Sequence, residues 1–289
     1  MAARKPILHG RDHKPGGADP IPDLFGLSGG KTYPVLIEEN PATQHYWPAS
    51  DLTGNLKDTV GTWDLTPAFA DVSGVTWPQY LKEGPIPEPN LAVENAGVQG
   101  IPAGDNGRFA RTDTGSSMFT AGQTWSIVVW AYPVTYTLSF LLFIGTEATS
   151  ISVSWQTNTL HAAAGPVTVA ETAPFELDAW HLVGLRYDGA TLDLLRDDAG
   201  VVASAADTGG VTVIDQVSWL NYLVGPAWYP FNGRTAQMAF FTGAITDEYF
   251  HALYTTQDTT GLPPDGWVMT TDGTGKTAWK PPTVEWEDV

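Results

Sequence analysis

Apolar residues through the middle of this chain recur with the two-residue period of β-strands. Around Ser150–Thr157, Ile151, Val153 and Trp155 fall on one face, while Ser150, Ser152 and Ser154 fall on the other. That alternation predicts a half-buried strand. The run Trp125–Val134 is apolar on both faces, with Trp125, Ile127 and Val129 opposite Val128, Trp130 and Tyr132. A strand covered on both sides belongs at the centre of a sheet. From Trp180 to Ala206 the pattern reads strand, turn at Asp188-Gly189, strand, turn at Asp198-Ala199-Gly200, strand, which is an antiparallel meander. No long stretch repeats its apolar residues every 3.6 positions. One short helix is predicted after Ile245: Thr246 suits an N-cap, and Asp247 and Glu248 suit the positive end of the helix dipole. Ile245 and Phe250 occupy the two positions of a hydrophobic staple. Tyr249, Phe250 and Leu253 then face the sandwich over one or two turns.

The strand pattern divides the chain into three parts. Residues 1–33 form an arm without periodicity, 34–260 read as one strand-rich domain, and 261–289 follow a Pro-Pro break. Within the arm, residues 9–22 hold two histidines, a Pro-Gly-Gly turn and little that builds a core. Gly and Pro number 30 and 22 in 289 residues, below the roughly 25–30% that marks low complexity. They fit many turns between short strands. Hydrophobic residues make up 43% of the chain, enough for a sizeable core.

Charge changes the picture more than composition does. The net charge is −18, but residues 1–31 hold five Lys/Arg against three Asp, and the other 258 hold nine against 29 Asp/Glu. A basic arm precedes an acidic body. The body repels phosphate backbones, so nucleic acid is not an expected partner, and the arm suits an acidic protein surface. Cysteine is absent, which excludes a disulfide framework, a thiol nucleophile and a Cys-based zinc site. The N-terminus lacks the apolar core of a secretory signal, and the most apolar run, Tyr136–Gly145, spans ten residues, too few for a bilayer. A soluble chain made in a cytoplasm, without membrane insertion, is expected.

Four stretches in order carry a resemblance to the laminin-G-like, concanavalin A-type jelly-roll family over most of residues 44–255. They are the His45-Tyr46-Trp47 segment with its Asp-rich loop, the Trp125 strand, the Trp180-His181 strand with its hairpin, and the closing Phe231–Tyr254 segment. The resemblance implies an all-β, two-sheet antiparallel jelly-roll sandwich with an extended N-terminal arm and a short C-terminal β-hairpin. Two departures count: the family's Asp-Gly hairpin turn becomes Asp-Asp-Ala-Gly, and the Pro-rich Val75–Asn90 looks like an insertion.

The ends resemble bacteriophage minor tail and tail-fibre proteins. His13-Lys-Pro15-Gly16-Gly17-Ala-Asp19-Pro20 matches their His-x-Pro-Gly-Gly-x-Asp-Pro element, and Gly266–Lys280 resembles their small hairpin, with Asp272-Gly273 in the turn between Trp267 and Trp279. The resemblance implies a virion protein assembled in the host cytoplasm. It also implies self-association, most simply as a homotrimer, contacts with other tail proteins, and presentation of the sandwich to a host-surface glycan; a purely architectural tail or capsid decoration protein and a polysaccharide depolymerase are the alternatives. His9, His13, Pro15, Gly16, Gly17, Asp19 and Pro20 are the expected attachment residues.

Several catalytic patterns nearly match and fail. Gly26–Gly30 spells G-x-S-x-G around Ser28 but lacks the strand and helix of a nucleophile elbow. Gly273–Thr277 and Gly29–Thr32 resemble the end of a phosphate loop, yet Thr270 and Phe25 stand where its first glycine belongs. Jelly-roll glycanases carry a three-carboxylate strand. Here Glu176 and Asp178 share a strand face, but Trp180 and His181 occupy the third place, so no paired proton donor is in reach. No enzyme is expected. His9 and His13 on a threefold axis are a weak metal pattern, and no spacing among the loop aspartates selects a Ca²⁺ set, so no metal or cofactor is assigned. Trp77 with Tyr80, and Trp228 with Tyr229, are loop aromatics suited to stacking on sugars. The acidic surface disfavours anionic polymers unless a cation bridges them.

Overall fold

The computed structural model describes residues 32–68, 70–72, 75–86, 91–95, 107–112, 122–135, 138–145, 150–156, 158–207, 216–220, 223–224, 227–256, 268–271 and 277–280. Helix α1 (Tyr33–Glu38) leads into β1 (Thr43–Trp47), β2 (Thr66–Ala68), β3 (Ala70–Val72), β4 (Val75–Trp77), β5 (Gln79–Glu83), β6 (Leu91–Asn95) and β7 (Arg108–Thr112). Then come β8 (Trp125–Pro133), β9 (Ser139–Ile144), β10 (Ile151–Gln156), β11 (Thr159–Ala164), β12 (Val167–Ala170), β13 (His181–Tyr187), β14 (Thr191–Arg196) and β15 (Gly200–Ala206). The chain closes with β16 (Gln216–Trp219), β17 (Leu223–Val224), β18 (Ala227–Trp228), β19 (Gly233–Thr242), α2 (Asp247–Thr255), β20 (Val268–Thr271) and β21 (Thr277–Lys280).

Two sheets face each other. The first has eight strands in the order β15-β14-β13-β8-β19-β6-β5, with β1 pairing the second half of β19. The second has seven, in the order β12-β11-β10-β9-β16-β7-β2. Every pairing between these strands is antiparallel. The chain is therefore an all-β, two-sheet antiparallel sandwich of the jelly-roll, concanavalin A type.

Strand β8 shows why its sequence is apolar on both faces. It pairs β13 on one side and β19 on the other. Trp125, Ile127 and Val129 point into the core between the sheets, with Trp47, Trp155, Trp219 and Phe240. Val128 and Trp130 point outward into a second core, where Tyr33, Leu36 and Ile37 of α1 and Phe250 and Leu253 of α2 cover the first sheet. Burying each such side chain contributes about 1.5–3 kcal/mol. Helix α2 begins as expected: Thr246 Oγ1 accepts from Tyr249 N at 3.2 Å, and Ile245 and Phe250 are both buried.

The structure departs from expectation at five places. Residues 33–38 form α1 rather than strand, because six residues bury Tyr33, Leu36 and Ile37 on one helical face, too short a run for a period to show. Helix α2 runs nine residues, longer than one or two turns. Within the Pro-rich 75–90, Gln79–Glu83 form the edge strand β5 of the first sheet rather than a loop, and a proline at the strand's approach costs no ladder bond. The serine face of β10 is not solvent-facing, since Ser150, Ser152 and Ser154 are buried. Glu176 and Asp178 do not share a strand; both lie exposed in the loop before β13.

Candidate functional site: the outer face of the second sheet

The two faces of the second sheet differ in chemistry. Val153 and Trp155 of β10, Leu160 and Ala162 of β11, Phe109 of β7 and Trp219 of β16 point into the interior. Strand alternation sends the intervening residues outward. The ladder registers align one outward row as Thr66, Ala110, Ser218, Phe143, Ser152, Ala163 and Thr168. A second row runs Phe140, Ser154, His161 and Ala170. Arg108, two residues along β7 from Ala110, lies on the side of that second row, half-buried, and burial lowers its pKa.

Both described helices lie over the first sheet, and no described helix crosses this face. Its middle is covered: Ser154 is 3% exposed, Phe143 6% and Ser152 8%, whereas Thr66, Thr168 and Ala170 toward the edges are exposed. None of the seven strands contains an aspartate or glutamate, in a chain that has 32 of them. The first sheet carries Glu83, Glu94 and Asp193 on its strands.

Hydrogen bonds set the polarity of the floor. Thr159 Oγ1 donates its one hydrogen to the Gln156 carbonyl at 2.9 Å, so it accepts from His161 Nε2 at 2.8 Å. Burial pushes the His161 pKa down, so the ring is neutral at pH 7 and Nδ1 carries a lone pair. Gln156 Nε2 donates to Ser154 Oγ at 3.3 Å, which leaves the Ser154 hydrogen to be donated.

Of the aromatics singled out in the sequence, the side chains of Tyr80 and Tyr229 are described, and they lie at different places. Tyr229 borders this face: its ring meets Phe140 edge-on, with centroids 6.3 Å apart, and its carbonyl accepts from Phe140 N at 3.0 Å. Tyr80 instead packs edge-on against the interior residue Phe109 at 5.5 Å, and its hydroxyl donates to the Gly54 carbonyl. Burial, with the charge of Asp51, pushes its pKa up to about 12. Trp77 ends β4 opposite Ala70, and Trp228 ends β18 opposite Leu223. His9, His13, Pro15, Gly16, Gly17, Asp19 and Pro20, with Ser28, lie outside the described residues. So do Asp272 and Gly273, although β20 and β21 on either side pair as a hairpin.

Three histidine–aspartate pairs resemble catalytic dyads: His251 Nδ1 meets Asp198 Oδ1 at 2.8 Å and ties α2 to the turn after β14, and the other two are also structural. His181 Nδ1 meets Asp197 Oδ2 at 2.6 Å, but its Nε2 is taken by the Glu176 carbonyl at 3.1 Å. Both partners are acceptors, so the ring clips the 171–180 loop to the turn after β14. His45 Nδ1 meets Asp58 Oδ2 at 2.6 Å, and its ring stacks on Trp47 and packs against Trp63. Among the described residues no group of three or more His, Cys, Asp or Glu is placed to hold a metal, and no helix is long and apolar enough to cross a membrane.

The sequence reading located the serines of β10 but not the face they belong to. The signal was present as the missing carboxylates, yet it emerges only once seven dispersed segments are assigned to one sheet.

No protein-family model matches the chain, and no curated protein sequence matches it. Solved structures do. Domain 4 of AbnA, a GH43 extracellular arabinanase from Geobacillus stearothermophilus in complex with arabinotriose, is similar with TM-score 0.54 at 15% identity, over 74% of this chain and 99% of that one. The binding domain of botulinum neurotoxin DC in complex with SialylT gives TM-score 0.55 at 11% identity, over 80% of this chain and 58% of that one. The same binding domain in complex with rat synaptotagmin II gives 0.56 at 11%, over 84% and 63%. The chain thus spans less than two thirds of those neurotoxin chains. At such identities the likeness is one of fold alone.

Proposed function

We propose that this chain is a structural protein of a phage tail, a minor tail, fibre or tip protein, that presents its sandwich as an adhesin for a host-surface glycan. The observation that carries the adhesin reading is the two-sheet sandwich itself, with Tyr229 and the exposed Thr66 and Thr168 bordering the outer face of its second sheet. Sugars are recognised by such combinations of hydroxyl partners and apolar faces. The fold is shared with domains solved with arabinotriose and with SialylT, which supports a saccharide as ligand. The tail assignment rests on the resemblances at His13–Pro20 and Gly266–Lys280. In this reading the arm holds the chain to copies of itself, as a homotrimer, and to other tail proteins. In this reading binding needs no cofactor and no catalysis accompanies it, since Glu176 and Asp178 stand exposed on a loop and share no strand.

The test is adsorption of purified full-length chain to cells of the strain that the particle infects. Saturable binding that competes with the particle is expected, with loss of both after periodate oxidation of the cell-surface glycans. Binding that survives periodate overturns the glycan assignment. Absence of the chain from purified particles overturns the tail assignment.

A further inference from the structure

We infer that the end of the first sheet beside Trp180 is a saccharide site, and that the sugar it takes is neutral and carries vicinal hydroxyls. This rests on the adhesin reading and gives that adhesin a ligand class and a place.

Helices α1 and α2 close over Trp130, whose ring meets Tyr33 and Tyr254 at 6.3 and 6.0 Å. Tyr132 is the next outward residue of β8. Its ring meets Trp180 at 5.5 Å, and the Arg234 guanidinium lies over it at 5.3 Å. The ladder sets Arg234 opposite Tyr132 and Gly233 opposite Pro133. Two backbone hydrogen bonds bring the neighbouring loops to the same end: Asp178 N donates to the Pro133 carbonyl at 2.9 Å, and Val134 N to the Asn232 carbonyl at 3.0 Å. Tyr132, Trp180, Arg234, Asn232 and Asp178 thus form one patch, drawn from β8, β19 and the loops that precede β13 and β19.

The polar groups of this patch keep their bonding capacity. Glu176 and Asp178 are exposed, and among the described residues neither carboxylate meets a donor. Tyr132, Trp180 and Asn232 are half-buried, and among the described residues Tyr132 Oη, Trp180 Nε1 and the Asn232 amide have no partner and are not cut off from solvent. Arg234 reaches Glu94 through Nε at 3.6 Å, which leaves its terminal nitrogens to donate, and its side chain is 31% exposed. Arg196 over Phe175 and Arg111 over Trp63, by contrast, are held at a terminal nitrogen, by Glu171 at 2.6 Å and by the Thr62 carbonyl at 2.8 Å. A sugar matches the set: its oxygens accept from Trp180, Arg234 and Asn232, its hydroxyls donate to Asp178 and Glu176, and its C–H groups pack on the rings. One carboxylate accepts from two adjacent hydroxyls, one at each oxygen, which selects a vicinal diol. The same two carboxylates oppose an anionic sugar at contact distance, so the ligand is neutral.

Titration calorimetry of the full-length chain tests this with two neutral polymers, mannan and galactan, each beside an acidic counterpart, alginate and polygalacturonate. At least one neutral polymer is expected to bind at least tenfold tighter than its counterpart, with affinity steady within twofold as NaCl rises from 50 to 300 mM. Asp178→Asn, which keeps a residue suited to the left-handed φ of 57°, is expected to cut that affinity at least tenfold. Trp180→Phe, which keeps an aromatic ring and removes the N–H, is expected to cut it at least fivefold, while Thr66→Ala on the second sheet leaves it within twofold. Unchanged melting temperatures establish that the variants fold, and if Trp180→Phe does not, Asp178→Asn decides alone. Equal or tighter binding of the acidic polymers overturns the inference, as does neutral-polymer binding that Asp178→Asn leaves intact; periodate-sensitive adsorption to cells would still uphold the adhesin reading. If no polymer binds, the inference fails. If Asp178→Asn spares polymer binding but lowers the mass in solution, the patch receives the basic arm of a second copy and not a sugar.

Discussion

The loop that follows β1 turns around one carboxylate. Asp58 Oδ1 accepts from the backbone N–H of Tyr46 at 3.0 Å, Val60 at 3.3 Å and Gly61 at 2.8 Å. Its Oδ2 accepts from Trp63 N at 2.9 Å and from His45 Nδ1 at 2.6 Å. Burial alone would raise its pKa, but the His45 hydrogen bond and the N–H groups of Tyr46, Trp63 and Gly61 outweigh burial and hold it below the ordinary carboxylate range. Replacing one oxygen by an amide turns an acceptor toward these donors. Asp58→Asn is therefore expected to lower stability by about 3 kcal/mol, as for a buried pair that loses one partner, read as a lower urea midpoint. The sign with pH follows from the depressed folded-state value. The stabilisation is full above the unfolded carboxylate value of about 3.9 and is lost as pH falls from there through the folded value. The wild-type midpoint should fall steeply below pH 4, and the variant's should fall less. Gly61 is part of the same construction: a Cβ there would meet Asp58 Oδ2 and His45 Nδ1, each at 2.5 Å.

Helix α2 is held to the first sheet by a cap, a staple and a close approach at Gly184. A Cβ on Gly184 would lie 2.7 Å from Phe250 Cε2 and 3.2 Å from Leu195 Cβ, so the ring occupies the space a side chain would need. Gly184→Ala is expected to cost about 1–3 kcal/mol by forcing Phe250 off its seat. Thr246→Ala is expected to cost about 1 kcal/mol through the lost cap. Thermal melts check both, and the glycine variant should be the worse. These two sites also show which elements were legible in the sequence. The start of α2 was readable because cap, acidic first turn and staple are local, within six residues of one another. Helix α1 was not, since Tyr33, Leu36 and Ile37 make only one turn of pattern. Strand β8 was placed correctly at a sheet centre because both its faces are apolar, whereas β10 was misread. Its serines look like a solvent face in one dimension, yet Ser150, Ser152 and Ser154 are buried in the fold. Pro78 drew β5 into a loop because proline speaks only against central strands, and β5 is an edge.

At the scale of the whole molecule, the acidic bodies repel one another, so the homotrimer proposed above needs a contact other than their bulk surface. The arm is the one segment with an excess of positive charge, five Lys/Arg against three Asp in residues 1–31. A basic arm laid on a neighbour's acidic body turns part of that repulsion into attraction, and copies held together raise the avidity of weak glycan sites without any new contact. The full-length chain is therefore expected to run in light scattering at roughly three times its 31.1 kDa mass. The chain lacking residues 1–30 should fall to a monomer while keeping the circular dichroism of the sandwich. Raising NaCl to about 1 M, where the screening length shrinks to roughly 3 Å, should shift the full-length chain toward monomer as well. A full-length monomer at physiological salt removes the arm from assembly. A trimer that survives deletion of the arm moves the contact onto the sandwich itself, where the carboxylate-free second sheet is the surface on which two such acidic bodies approach at least electrostatic cost.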